Sequence, residues 1–461
     1  MKTKRFIYGA LLVVAVLFAD SASAQLKTSY FMEGSYFRTD LNPALAPTRG
    51  YISLPFISGY MFGEYSNYKS YENMYYKGEN GYINAIHSSV PANEFLSKLP
   101  NKCVDNYNGS LNLFKLGFYT INGSFINFGA NVRIDYTSAI PKEYFKMLKG
   151  AYQNSIDVNN MNVDLSAYLE TYAGLALPIN DNLTIGARFK FLIGLVNGRF
   201  DVNKMQVNNG KYTAHGNLIL NSVEYDSSKY DGQTNTDIVV NDTQDFVWNN
   251  LHSFGGAIDL GAEMRFLDNQ LKVSAAITDL GFIRWSADTQ LSGTVAVDSN
   301  DVTDLMGLLS DVGMEMPDKF SDYATRLTTN VNIGAEYNFC SNHFAVGLLS
   351  HTRLYRSAVA TELTTSFNWR PTNWMTFTAS HTFLNGNTPG IYGAAINIHP
   401  RAVNIFIGMD YIGDGNNTTD FEPTTMSEID RMFSPKATSY NFIIGVGFNF
   451  GRPKFLKEAK N

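Results

Sequence analysis

Stretches of about ten residues in which large apolar and small polar side chains alternate constrain this chain more than anything else in it. The clearest is 441–450. Phe442, Ile444, Val446, Phe448 and Phe450 fall on one face, and Asn441, Ile443, Gly445, Gly447 and Asn449 on the other. In 403–411 the split is Val403, Ile405, Ile407, Met409 and Tyr411 against Asn404, Phe406, Gly408 and Asp410. In 359–369 Val359, Leu363, Phe367 and Trp369 oppose Ala360, Glu362, Thr364, Ser366 and Asn368, and in 329–339 Val331, Ile333, Tyr337 and Phe339 oppose Asn330, Asn332, Glu336 and Asn338. A period of two is that of a β-strand, whose side chains point alternately to opposite faces. The polar faces carry Asn, Ser, Thr and Gly with a few acids, where a strand facing bulk water would be rich in Lys and Glu. Such a face suits the lumen of a transmembrane barrel, with Glu336, Glu362, Asn404 and Asp410 as candidate lumen-lining residues.

Spacing gives a second argument. The pattern places strands near 51–62, 109–120, 124–136, 163–178, 183–198, 252–266, 271–286, 324–339, 343–353, 358–369, 374–384, 389–399, 402–413 and 438–450. The gaps alternate between short turns and connections that are long or variable, as in outer-membrane barrels. Charged residues make up 17% of the chain and aromatics 14%, which fits a barrel and also a secreted β-sandwich or propeller. Apart from the N-terminus, no run approaches the ~18 apolar residues of a membrane helix. The reading is an all-β membrane protein, an antiparallel outer-membrane β-barrel of about fourteen strands.

The N-terminus reads as an export leader. Lys2, Lys4 and Arg5 precede the uncharged stretch 6–18, and Ala22-Ser23-Ala24 has the small residues of a cleavage site. The predicted division is a signal peptide at 1–24, a plug at 25–50 and the barrel at 51–461. The plug follows from 30–55, which has prolines at 43, 47 and 55 yet carries Tyr30, Phe31, Met32, Tyr36, Phe37, Leu41 and Leu45. Those prolines exclude a long helix or a central strand. So apolar an irregular segment needs a concave surface to fill, and the lumen supplies one. Arg38 and Arg49 are then expected to pair with acids such as Glu336, Glu362 and Asp410.

Among the connections, 141–150 opens with Pro141 and ends in Gly150, so it reads as a short helix whose Tyr144, Phe145, Met147 and Leu148 cap the barrel mouth. The stretch 302–320 is expected to hold one or two more, and 211–225 suggests a hairpin above the membrane. Trp369 and Trp374 flank a short turn and suit a periplasmic aromatic girdle. Cys103 and Cys340 fall at opposite ends of the barrel and are not expected to bond. A net charge of −6 argues against nucleic acid as a partner. No His or Cys pair has zinc spacing, the Asp-rich stretch 226–231 lacks a calcium-loop pattern, and no nucleophile elbow follows a strand. No cofactor, metal or catalytic set is expected, and His381 reads as a packed strand residue.

Asn42-Pro43-Ala44, just ahead of the first strand of an exported barrel, resembles the Asn-Pro-Ala motif of the FadL-type superfamily, which includes long-chain fatty-acid transporters and PorV-type barrels of a secretion system. Together with Ile277-Thr-Asp-Leu-Gly-Phe-Ile-Arg-Trp285, it more closely resembles an uncharacterised outer-membrane family related to these. The resemblance implies a Gram-negative outer membrane with its lipids around the barrel, and a luminal plug bearing Asn42, Pro43 and Ala44. It also implies one of two roles: passing or binding hydrophobic small molecules, or holding secreted or periplasmic proteins through the loops. Fatty-acid transporters have a Gly/Ala-rich segment before the motif, whereas here it is aromatic and charged, so fatty acid is not singled out as the substrate.

Overall fold

Each alternating segment is a strand, and each pairs antiparallel with the next in the chain. The computed structural model describes residues 27–54, 59–69, 71–78, 81–208, 211–221, 253–287, 290–299, 313–315, 321–384, 391–412 and 439–451. The predicted leader lies outside them. The wall strands are β1 (Gly50–Ser53 and Tyr60–Ser66), β2 (Lys102–Tyr119), β3 (Phe125–Pro141), β4 (Ser155–Pro178), β5 (Leu183–Asn208), β6 (Phe254–Phe266) and β7 (Leu271–Trp285). They continue with β8 (Tyr323–Arg326 and Thr329–Phe339), β9 (Phe344–Leu354), β10 (Val359–Thr372), β11 (Met375–Leu384), β12 (Ile391–Ile398), β13 (Val403–Ile412) and β14 (Ser439–Phe450). Both parts of β1 pair with β2 on one side and β14 on the other, so the fourteen strands close on themselves. Closure leaves no edge of unpaired backbone groups, which is what lets a sheet sit in hydrocarbon.

The outer face is apolar. Phe367 and Trp369 on β10, Ile405 and Ile407 on β13, and Phe442, Ile444 and Phe448 on β14 all point outward and are exposed. Phe189, on β5, is 62% exposed. In water such a surface would be a liability; in a bilayer it is the solvated face. The protein is an outer-membrane β-barrel. Trp369, stacked on Phe377 with ring centroids 5.2 Å apart, and Trp374 both lie exposed at the rim of short turns, the periplasmic side.

Above the membrane the structure departs from the expected loops. β4 has 24 residues and β5 has 26, more than twice the ~9–11 that span a bilayer. Much of the predicted loop 137–162 is therefore strand. Its alternation fades because, beyond the lipid, neither face has to be apolar. Lys211–Asn221 pairs with the top of β5 and with Gln290–Ser299, in line with the expected hairpin. Within 302–320, where helices were expected, Gly313–Glu315 is a strand against Gln290–Ser299; the rest of that stretch lies outside the described residues. A neighbouring strand edge offers these residues backbone partners that an isolated helical turn would lack.

Lys142–Leu148 is a helix, with Pro141 at its N-cap and Gly150 just past its end at φ +60°, a left-handed conformation that glycine adopts without strain. Its Phe145 packs with Tyr68, Ala85, Val90, Phe95, Leu96, Leu99 and Cys103. This separate apolar cluster lies at the long-loop end of β2 and β3. Cys103 and Cys340 are free thiols.

Candidate functional site

The lumen is occupied by the chain's own N-terminal segment, residues 27–49. It begins against the extracellular halves of β10 and β13, descends to the periplasmic rim near Glu33, rises again through the short helix Arg38–Leu41, and returns to the rim before β1. Its aromatic side chains are enclosed. Tyr36 stacks on Tyr51 at 4.8 Å, Phe37 meets Phe406 at 5.3 Å, and the Tyr30 hydroxyl hydrogen-bonds to Ser274 Oγ at 2.9 Å. Wall glycines make the room: a Cβ on Gly445 would lie 2.5 Å from the Phe37 ring.

Asn42, Pro43 and Ala44 turn the chain after the short helix. The Ala44 amide donates to Asn42 Oδ1 at 2.9 Å, and Asn42 Nδ2 donates to the Tyr30 hydroxyl at 3.2 Å. The motif lies directly on two wall glycines, Gly186 of β5 and Gly261 of β6. A Cβ at Gly186 would strike the backbone of Pro43 and Ala44, and one at Gly261 would strike the Asn42 side chain.

Three charges of the segment, a buried Lys27 and the partly buried Glu33 and Asp40, meet opposite charges on the wall. Lys27 Nζ reaches Glu362 Oε2 at 2.7 Å, its backbone amide donates to Asp410 Oδ2 at 2.8 Å, and the Thr28 hydroxyl also donates to Asp410. Glu33 pairs with Lys272, which also contacts Glu336 at 3.3 Å; Arg370 holds Glu336 at 2.5 Å and donates to the Phe31 carbonyl at 3.1 Å. Asp40 pairs with Lys115 and, at 3.0 Å, with Arg188, which also donates to the Thr39 carbonyl at 2.8 Å. Burial by itself would raise the Glu33 and Asp40 carboxyls. The cations around them outweigh it, Lys272 and Arg370 for Glu33, Lys115 and Arg188 for Asp40, and hold both below the ordinary carboxylate range.

A second network lies within the wall. Lys190 contacts Asp279 at 2.5 Å, Asp259 at 2.9 Å and Glu170 at 3.7 Å, and Arg133 contacts Glu170 at 3.2 Å. It surrounds a break in the barrel. β7 pairs with the second part of β8 as far as Thr278 and with its first part from Phe282, and the β6–β7 register shifts between Ile258 and Leu260. Asp279, at φ +60°, donates its amide to Asp259 Oδ1 at 2.7 Å. A cavity of about 1070 Å³ opens at this break. Its lining takes inward-facing Asp135, Asp164 and Tyr168 together with outward-facing Ile258, Leu280 and Phe282. Among the described residues, no group of three or more His, Cys, Asp or Glu could hold a metal ion.

Glu336, Glu362, Asn404 and Asp410 all face inward and are buried, and Asn404 Nδ2 donates to the Gly34 carbonyl at 2.8 Å. The expected partners of Arg38 and Arg49 are different. Those acids are taken by Lys27, Lys272, Arg353 and Arg370, while Arg38 has Glu263 as its nearest carboxylate, at 3.9 Å. Arg49 donates to the Arg401 carbonyl at 3.3 Å, at the periplasmic rim. Sequence reasoning missed Lys27, Glu33 and Asp40 and their cations. One signal was present: Arg188 and Lys190 alternate with outward Phe189 and Phe191, so two cations share the inner face of β5.

The profile of a family of unknown function (DUF5723) matches residues 43–410. The chain belongs to that family. In this DUF5723 protein the matched span begins at Pro43, inside the Asn42-Pro43-Ala44 stretch, and ends at Asp410, so it takes in the wall from β1 to most of β13 and stops short of β14. No curated protein matches the chain. Among solved structures it is similar to a TodX monoaromatic hydrocarbon channel deltaS2 mutant, at 8% identity and a TM-score of 0.42, covering 94% of this chain and 96% of that one. It is also similar to the Ralstonia pickettii toluene transporter TbuX, at 9% identity and a TM-score of 0.37, covering 93% and 95%. A third likeness is to the translocator domain of the autotransporter NalP from Neisseria meningitidis, at 5% identity and a TM-score of 0.32, covering 87% and 89%.

Proposed function

We propose that this protein is an outer-membrane barrel that binds or passes hydrophobic small molecules, with residues 25–50 acting as a plug that closes the lumen. The carrying observation is the cavity of about 1070 Å³ at the wall break, which has a polar inner side and an apolar outer side. Pockets for small ligands are concave, mostly apolar and furnished with a few placed polar groups, and this one fits that description. An apolar solute entering from outside would meet Tyr168 and Leu327 inside the wall and Leu280 and Phe282 on its membrane side. Passage towards the periplasm requires the plug to shift, so a transported ligand must bind the open arrangement better than the closed one. Filling the cavity tests the reading. Ala324→Trp places a large side chain in its lining, and uptake of a labelled apolar solute by liposomes carrying the protein should fall severalfold. Equal uptake by both forms would refute a route through this cavity.

A second reading is a PorV-like scaffold that holds secreted or periplasmic protein partners through its loops. It is supported by the folded cap around Phe95 and Phe145, which has its own apolar core. Binding tends to concentrate in loops held by a rigid frame. Crosslinking in cells followed by pull-down separates the two: recovery of protein partners through the cap favours the scaffold, and recovery of lipids alone rejects it.

A further inference from the structure

We propose that the periplasmic floor of the lumen binds a small oxyanion between Arg38 of the N-terminal segment and Arg265 of β6. A cavity of about 200 Å³ opens there, among the short turns, and its lining includes Glu33, Arg38, Tyr119, Thr184, Glu263 and Arg265. Arg38 is the unusual member. It is only 5% exposed, its Nε has no hydrogen-bond partner, and its closest carboxylate oxygen is 3.9 Å away, beyond hydrogen-bond reach. A buried guanidinium so weakly matched is costly unless another acceptor completes it. Arg265 is engaged on one side only: Nη2 lies 2.5 Å from Glu263 and donates to Thr184 Oγ1 at 3.2 Å, while Nε has no partner. Two guanidinium groups, each with a buried and unpartnered Nε, therefore line one small cavity from different chain segments.

The charge balance points the same way. Arg38 and Arg265 share one carboxylate, Glu263, whereas in the neighbouring set Lys272 and Arg370 are matched by two, Glu33 and Glu336. Glu263 is held by Arg265, and Glu33 by Lys272, so the two acids on the cavity are already matched. One negative charge placed against Arg38 would complete the set. Arginine offers planar, forked donors that suit carboxylate and phosphate oxygens alike. The fitting ligand is a carboxylate or phosphate group borne by a periplasmic solute, small enough for about 200 Å³. Its occupancy would tie the N-terminal segment to β6 from the periplasmic side, independently of whatever enters from outside.

The test is calorimetric titration of the detergent-solubilised mature protein with inorganic phosphate and, separately, with acetate. Saturable binding of at least one is expected, and the arm that binds tells a phosphate-type from a carboxylate-type ligand. Arg38→Gln and Arg265→Gln should each weaken it about tenfold or more, because each removes a charge-assisted donor. Arg284→Gln, on the outer surface, should leave it unchanged. Heat-dependent gel mobility checks that each variant is a folded barrel; should Arg38→Gln fail to fold, Arg265→Gln decides. No saturable binding of either anion, or unchanged affinity in the folded variants, would overturn the proposal.

Discussion

Asp40→Asn is the sharpest probe of what holds the N-terminal segment in the lumen. Asp40 faces two buried cations, Arg188 at 3.0 Å and the fully enclosed Lys115. Asparagine keeps the shape and removes the charge. Arg188 retains the Thr39 carbonyl and Asp259 at 3.8 Å, so the loss falls mainly on Lys115. Removing one member of a buried pair costs about 3–5 kcal/mol, because the remaining charge stays desolvated without its partner. Taking ~3 kcal/mol, at about 1.4 kcal/mol per decade, the undocked population should rise by more than 100-fold. Planar-bilayer recordings measure this as the fraction of time spent in a conducting state. Lys115→Gln in the same molecule removes the stranded cation, so the double variant should open much less often than Asp40→Asn alone. If Asp40→Asn conducts no more than the parent, or the double variant opens as often as the single one, the buried pair does not hold the segment.

Three further outcomes follow from the same geometry. Gly186→Ala should loosen the segment, since the new Cβ meets Pro43 and Ala44 backbone that cannot rotate aside; hydrogen exchange at 38–48 should speed up, whereas Gly256→Ala, whose Cβ has only the Lys190 carbonyl at 3.6 Å, should not have this effect. Glu33 and Asp40 are held below their ordinary values, so their contribution is complete above the usual carboxylate range, around pH 4, and is lost as pH falls towards the depressed values. Conductance should therefore rise between pH 5 and pH 3, with a smaller rise in Asp40→Asn; a flat profile would argue against carboxylate tethering. Lys27→Met leaves Glu362 with Arg353 at 2.8 Å and should open the lumen less than Asp40→Asn does, as read in the same recordings.

Much of the wall was readable in advance because a strand's two faces are a local matter. Phe442, Ile444, Val446 and Phe448 point outward in the barrel as their spacing alone says, and Asn404, Glu362 and Glu336 point inward. Strand ends were less legible. β4 and β5 run on where alternation stops, because beyond the lipid nothing forces one face to be apolar. Gly313–Glu315 became a strand because a neighbouring edge lay within reach.

Sequence by itself determined that this chain builds a closed antiparallel wall with an apolar exterior, since period-two alternation acts over a few residues at a time and hydrocarbon admits no open edge. It also marked 30–55 as too apolar for water and too rich in proline for a regular element. Which charges meet was decided only by the tertiary structure. Lys27 and Glu362 are 335 positions apart, and Arg188 and Asp40 are 148 apart. Closing the barrel sets the distance between inner faces, and only that distance settles that Asp40 finds Arg188 and Lys115 while Arg38 is left against Glu263 at 3.9 Å.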